Sequence, residues 1–214
     1  ILCDPDIYIE GDVNRGLLIF GTGRFYTYSS VFLSYVKDEE LFRKSGGKPI
    51  VRYYNGTPGN VWSTNEEEAK PIVGSHFADC DLMYWNNNCA ISIFSERLGN
   101  GLDNFFREFS VKMIGEGAEV GEEPYLVMLS NHGPIGGIGQ GGVLYRTSRL
   151  STPQSWSEPQ STEKDGYGPY IIEGLTEYND LMGNLDVWHV VSTWKGDDTT
   201  PYGVCTTKTK IPWP

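Results

Sequence analysis

Apolar and polar positions along this chain alternate in short runs, and the runs recur in a fixed order. Gly16 to Val36 reads GLLIFGTGR, then SSVFLSYV. Pro124 to Pro159 reads PYLVMLSN, then GGVLYRTSRL, then SWSEP. Tyr167 to Ile211 reads YGPYIIEG, then DVWHVVSTW, then PYGVCTTKTKI. Each run is rich in β-branched and aromatic residues and is bounded by Gly, Asn, Asp or Pro. That is the pattern of short antiparallel strands joined by turns. A block is an apolar strand, a turn and a second strand that ends polar, with Trp-Ser pairs at Trp62-Ser63 and Trp156-Ser157. A repeated sheet unit that cannot bury both of its faces alone predicts an all-β fold of β-propeller type.

Helix is confined to short pieces. In WSTNEEEAKPIV, Ser63 or Thr64 is the expected N-cap, Glu66 to Glu68 fill the first turn, and Pro71 ends the segment. Gly101 to Gly115 fits two patterns. Phe105, Phe106, Phe109 and Met113 share a helical face, whereas VKMI suits a strand. It is read as a long insertion inside a blade. No linker or low-complexity tract divides residues 1–214, so the chain is taken as one propeller domain.

Composition narrows the function. Hydrophobic residues make up 39% and charged residues 21%, enough for a core and against disorder. The 26 Gly, 12 Pro and 13 Tyr suit a turn-rich β protein. A formal charge of -11 argues against nucleic acid, which needs a basic face, and against anionic membranes. No run approaches the roughly 18 apolar residues that span a bilayer. The charge fits a soluble, secreted, extracellular protein. The opening at Ile1, without Met or leader, reads as processed or cut. Asn55-Gly56-Thr57 is a glycosylation sequon, with Pro58 directly after it. Of the four Cys, Cys80 and Cys89 flank DLMYWNNN and suit a local disulfide, while Cys3 and Cys205 stand apart. Four Cys allow three connectivities. No CxxC or HxxxH spacing suggests a metal site, and no cofactor is expected.

Several segments resemble a known family, one long described as a domain of unknown function whose characterised bacterial members include endo-D-arabinanases. These are five-bladed β-propeller glycoside hydrolases. GTGRFYTYSSVFLSYV is similar to that family's Gly-Thr-Gly-Arg segment, and VWSTNEEEAKPIVG to its Trp-Ser, acidic, Ala-x-Pro segment. VLYRTSRLSTPQSWSEP is similar to its Arg-Thr strand with a Trp-Ser-x-Pro turn. YGPYIIEG with VVSTWKGDDTTPYGVCTTKTKI is similar to its closing blade. The order of the segments agrees, and together they cover about two-thirds of the chain. One departure is Gly74-Ser75-His76-Phe77, where the family usually has Gly-Glu-x-Ser. The matched segments belong to the C-terminal part of such a propeller. The chain is therefore expected to supply three to four blades of an incomplete ring that lacks N-terminal blades. A second polypeptide or an N-terminal segment would complete it.

A glycosidase needs two carboxyl groups flanking one bond, roughly 5–9.5 Å apart according to mechanism. The expected innermost strands are DPDIYIEGD, GSHFADCD and YGPYIIEG, which nominate Asp4, Asp6, Glu10, Asp12, Asp79, Asp81 and Glu173. Each also reads as a solvated turn carboxylate. Asp79 and Asp81, with His76 as an orienting or acid–base partner, are the catalytic candidates. Arg24 follows a Gly-flanked turn, where its guanidinium can clamp sugar hydroxyls, hold a carboxylate or form a structural salt bridge. Tyr26, in the same segment, is a further substrate-binding candidate. Tyr167, Tyr170 and Trp194 offer flat apolar faces to sugar rings, or to the core. GIGQGG (Gly137 to Gly142) matches a dinucleotide fingerprint but precedes a strand instead of opening a helix, so it reads as a hairpin loop. Asp197-Asp198 is a turn and only a weak calcium signal. Two function classes follow: a secreted glycoside hydrolase acting on a polysaccharide, or a sugar-binding, lectin-like propeller without catalytic acids.

Overall fold

The computed structural model describes residues 2–9, 12–22, 31–41, 47–58, 61–73, 109–114, 124–131, 141–179, 182–193 and 203–212. These residues form an all-β protein of antiparallel sheets. A six-stranded sheet holds β1 (Leu2–Ile9), β2 (Asp12–Thr22), β3 (Val31–Lys37), β4 (Arg52–Tyr54), β5 (Trp62–Ser63) and β6 (Pro71–Val73). Strands β1 to β5 follow one another in space, and β6 also pairs with β3. A four-residue helix, α1 (Asp38–Leu41), follows β3. Its buried Glu40 carboxylate receives two bonds from the Arg52 guanidinium, at 3.0 and 3.2 Å.

The second sheet holds β7 (Phe109–Ile114), β8 (Tyr125–Asn131), β9 (Gly141–Arg149), β10 (Gln160–Ile171), β11 (Glu177–Asn179), β12 (Asn184–Ser192) and β13 (Val204–Pro212). It folds back on itself at β10. The first half of β10 pairs with β9, from Gln160↔Tyr145 to Gly166↔Gly141. The second half pairs with β12, from Tyr167↔Ser192 to Ile171↔His189. The register shifts once in each half. Glu163 and Gly168 take left-handed backbone angles, φ 60° and 59°. Gly166 lies at the fold because a Cβ there would come 2.7 Å from that of Val191.

Three layers result. Strand β8 explains the stacking, because Leu126 to Asn131 are all buried. A strand buried on both faces reads as a continuous apolar run, as PYLVMLSN does. Leu126 packs in one cluster with Leu18, Leu33, Tyr35 and Trp62 of the first layer, and Met128 packs with Val31 and Val73. Val127 and Leu129 pack on the opposite side with Leu185, Val187, Val191 and Ile211 of the third layer. The middle layer, β7 to the first half of β10, is therefore covered on both faces. Among the described residues the strands close neither a barrel nor a ring.

The strand pair expected over Gly16 to Val36 is present as β2 and β3, registered from Gly16↔Lys37 to Thr22↔Val31. The helix expected after Trp62 is a single 3-10 turn, Glu66–Glu68. Its cap is Asn65, whose side chain accepts from the Glu67 N–H, rather than Ser63 or Thr64. Ser63 Oγ instead accepts from the Asn65 N–H at 3.0 Å and sets up the turn. The ambiguous Gly101 to Gly115 segment is strand over Phe109–Ile114, and its earlier part lies outside the described residues.

The Arg-Thr and Trp-Ser motifs form one corner between β9 and β10. Arg146 donates to the Ser157 carbonyl at 3.0 Å, and the Thr147 N–H donates to Ser157 Oγ at 3.0 Å. Trp156 Nε1 donates to the Pro153 carbonyl at 3.0 Å. The Trp156 ring meets Phe20 of the first layer edge-on, with centroids 5.9 Å apart. The motif thus turns the chain and also packs one layer on the next.

Candidate functional site

Strand β7 and the second half of β10 begin the middle and third layers, and they lie against each other. Ser110 Oγ accepts the Ile171 N–H at 3.2 Å, a buried bond between residues 61 apart in sequence. Alternation along β7 puts Lys112 on the same face as Ser110 and Ile114, the face toward the third layer. Its ammonium stands 5.6 Å from the centroid of the Tyr170 ring. It also pairs with a Glu173 carboxylate oxygen at 3.2 Å. Glu173 opens a 3-10 turn, Glu173–Leu175, that follows the end of β10 at Ile171 with Ile172 as its N-cap.

The result is a compact constellation: an aromatic ring, a cation beside it, and a carboxylate on that cation. Tyr170 is 55% exposed, while its strand neighbours Pro169 and Ile171 are buried. Glu173 is 63% exposed and Lys112 26%. An exposed ion pair of this kind adds little stability. Its consequence is positional, since it fixes the ammonium at the ring and a carboxylate at the rim. A ring held in this way presents a flat C–H acceptor surface, and the Lys–Glu pair offers donors and acceptors for hydroxyl groups.

Of the residues nominated by sequence, Tyr170 and Glu173 are brought together here. Tyr167 lies at the start of the same half-strand, opposite Ser192. Asp4 and Asp6 fall on β1, and Asp12 opens β2. Arg24, Tyr26, His76, Asp79, Asp81, Glu10 and Trp194 lie outside the described residues, as do the Cys80–Cys89 pair, the Gly137 to Gln140 part of the glycine loop and Asp197-Asp198. Cys205 is an exposed free thiol on β13. Asn55 sits in a turn where its side-chain oxygen accepts the Thr57 N–H at 2.9 Å, with Gly56, Thr57 and Pro58 exposed. Sequence reasoning missed Ser110 and Lys112. The signal available was the alternation Ser110, Lys112, Ile114 within a segment that also read as helix.

A concavity of about 280 Å³ lies on the face of the first layer that points away from the middle one, lined by Ile19, Phe32, Ser34, Tyr53 and Glu66. Burial and then the neighbouring Glu66 carboxylate push the Tyr53 phenol above its ordinary value. Among the described residues no group of three or more His, Cys, Asp or Glu side chains is arranged to hold a metal ion. No helix of the described residues is long and apolar enough to cross a membrane. No family model, no curated protein and no solved structure matches the chain.

Proposed function

We propose that this chain is part of a secreted, carbohydrate-active β-propeller of five-bladed type, a glycoside hydrolase that binds a polysaccharide across the first strands of its blades. The observation that carries the reading is the exposed Tyr170 ring beside Lys112 and Glu173, at the line where the middle and third layers meet. Aromatic face, hydroxyl-bonding cation and carboxylate are the three chemistries that sugar rings ask for. The stacking of successive antiparallel layers supports the propeller part of the proposal, because a sheet covered on both faces is what a blade within a ring requires. In this reading the outer face of the first layer, with its 39% exposed Ile19, receives a further blade, supplied by a second polypeptide or an N-terminal segment.

Hydrolysis rests on the family resemblance and on a second carboxyl group placed across the scissile bond from the first. The lectin-like alternative is favoured by Gly74-Ser75-His76, which departs from the family's acidic segment. One experiment separates the readings: titration with a panel of furanose- and pyranose-based polysaccharides, followed by an assay for new reducing ends. Saturable binding with release of reducing ends is expected. Binding without release assigns the lectin reading. No binding and no release across the panel ends the carbohydrate reading.

A further inference from the structure

Ring, cation and carboxylate occur together a second time, on the third layer itself. The Lys208 ammonium stands 5.5 Å from the centroid of the Trp188 ring and 2.6 Å from a carboxylate oxygen of Asp186. At the candidate site the corresponding distances are 5.6 and 3.2 Å, for Lys112 with Tyr170 and Glu173. Strand register builds the second set. Trp188 lies directly opposite Lys208, and Asp186 is two residues along β12 from Trp188. All three side chains therefore leave β12 and β13 on one face.

That face also carries Tyr170. Ile171 pairs with His189 and packs in the aliphatic cluster with Val187 and Val191. Tyr170, paired with Val190, points the other way, to the side of Val190, Trp188 and Asp186. Trp188 is thus the diagonal neighbour of Tyr170 across the ladder, about 7–8 Å away between backbones. The face is open and polar, with Thr206, Lys208 and Lys210 exposed on β13 and Glu177 exposed on β11.

The two sets differ in the group they expose. Beside Tyr170 the carboxylate is the open member of the ion pair. Beside Trp188 the order is reversed, with Lys208 35% exposed and Asp186 5%. Lys208 meets one Asp186 oxygen, and the other, Oδ1, is buried without a hydrogen-bond partner. A buried charge needs its counter-charge, so Asp186 keeps the ammonium at the ring. One set presents acceptors to hydroxyl groups and the other presents donors.

We propose that Trp188 and Lys208, with Asp186 as a positioning residue, form a second sugar subsite beside Tyr170, so that this face binds consecutive units of one extended polysaccharide chain. The Trp188 ring stacks on one unit, and the Lys208 ammonium donates to its hydroxyls. The proposal rests on the reading of Tyr170 as a sugar platform and adds the course of the chain, from β10 across β12 to β13.

Binding as a function of saccharide length tests it, on the 214-residue chain. The probes are the furanose- and pyranose-based polysaccharides of the panel, arabinan and xylan among them, cut by mild acid and separated from disaccharide to hexasaccharide. Affinity of the parent should rise by about tenfold or more over that range, because a longer chain engages both subsites. Trp188→Thr and Lys208→Gln should lose most of the rise and keep the parent's affinity for the disaccharide. Trp188→Phe, which retains a ring, should keep most of it. Urea midpoints confirm that each variant is folded, and Lys208→Gln serves as the test if Trp188→Thr is not. A structural role for Trp188 would instead weaken every length alike, and that result overturns the proposal. So does a length gain that survives in both variants, or a parent whose affinity is independent of length; either leaves the Tyr170 reading standing. No binding of any probe by the parent removes both.

Discussion

Across one face of the middle layer, Leu126 and Leu150 meet a set of rings: Tyr35 and Trp62 buried, with Phe20, Tyr54 and Trp156 partly buried beside them. The rings contact one another at tilted or edge-on angles, 6.3 Å between Tyr35 and Trp62 and 5.9 Å between Tyr54 and Trp62. Across the other face the cluster is aliphatic, Val127, Leu129 and Val143 against Ile171, Leu185, Val187, Val191 and Ile211, with Tyr145 at its rim. The polar atoms differ accordingly. In the aromatic seam Trp156 Nε1 reaches a carbonyl at the rim. In the aliphatic seam the fully buried His189 shares a face with Val187 and Val191, and its Nε2 has no hydrogen-bond partner. Its Nδ1 lies 3.3 Å from the Val187 carbonyl, which assigns the proton of the neutral ring to Nδ1. An aromatic seam keeps its polar atoms at ring edges, where the backbone can meet them. An aliphatic seam has no such edge, so a histidine within it is tolerated only as the neutral form. His189, the histidine among the described residues, thus lies in the seam that borders the candidate site.

The largest effects should come from emptying either seam. Leu126→Ala and Leu129→Ala, one on each face of β8, should each cost about 2–5 kcal/mol in chemical denaturation. A cost below about 1 kcal/mol for either would mean that its face is not covered as described. Gly166→Ala, which drives a methyl into Val191, should cost about 1–3 kcal/mol by overpacking the turn between the layers.

The pH dependence sharpens the contrast. Burial, and next Lys164, hold the His189 pKa below its ordinary 6.5, against a raising contribution from the Val187 carbonyl. The folded state therefore binds the proton less readily than the unfolded chain. The stability associated with the neutral ring is fully present above about pH 6.5 and falls as pH drops below that value toward the lowered folded value. Urea midpoints measured from pH 8 down to pH 5 should show this decline, and His189→Val should flatten it. An identical profile in the variant would remove His189 as the cause. The smallest effect is expected at Glu163, a non-glycine residue at φ 60°. Glu163→Gly should stabilise the chain by about 1 kcal/mol or less, and any loss would show that its side chain contributes more than the strained backbone costs.

Much of the fold was legible in the sequence, because the strands of β2, β3, β8, β9, β12 and β13 are bounded by turn residues and carry β-branched runs. PYLVMLSN read as an apolar strand, and the structure adds that this strand is buried on both faces. Strand β7 was not legible, since FFREFSVKMI satisfies both a helical and an extended pattern, and pairing with β8 decides the matter. The candidate site was half legible. Tyr170 and Glu173 stand in a recognisable strand end, whereas Ser110 and Lys112 acquire their place only through a contact 61 residues away. His189 was hidden for a simpler reason. Within DVWHVVS it looks like a polar interruption, and only its alternation with Val187 and Val191 shows that it points into the core.

The account stands or falls on Tyr170 as a sugar platform. The direct measurement is polysaccharide affinity of Tyr170→Ala beside Tyr178→Ala, the second removing another exposed ring, 46% accessible, from β11 of the same layer. The account predicts that Tyr170→Ala weakens binding by about tenfold or more, the equivalent of about 1.4 kcal/mol, and that Tyr178→Ala binds as the parent does. Equal affinity in the parent and Tyr170→Ala, or an equal loss in both variants, would contradict it.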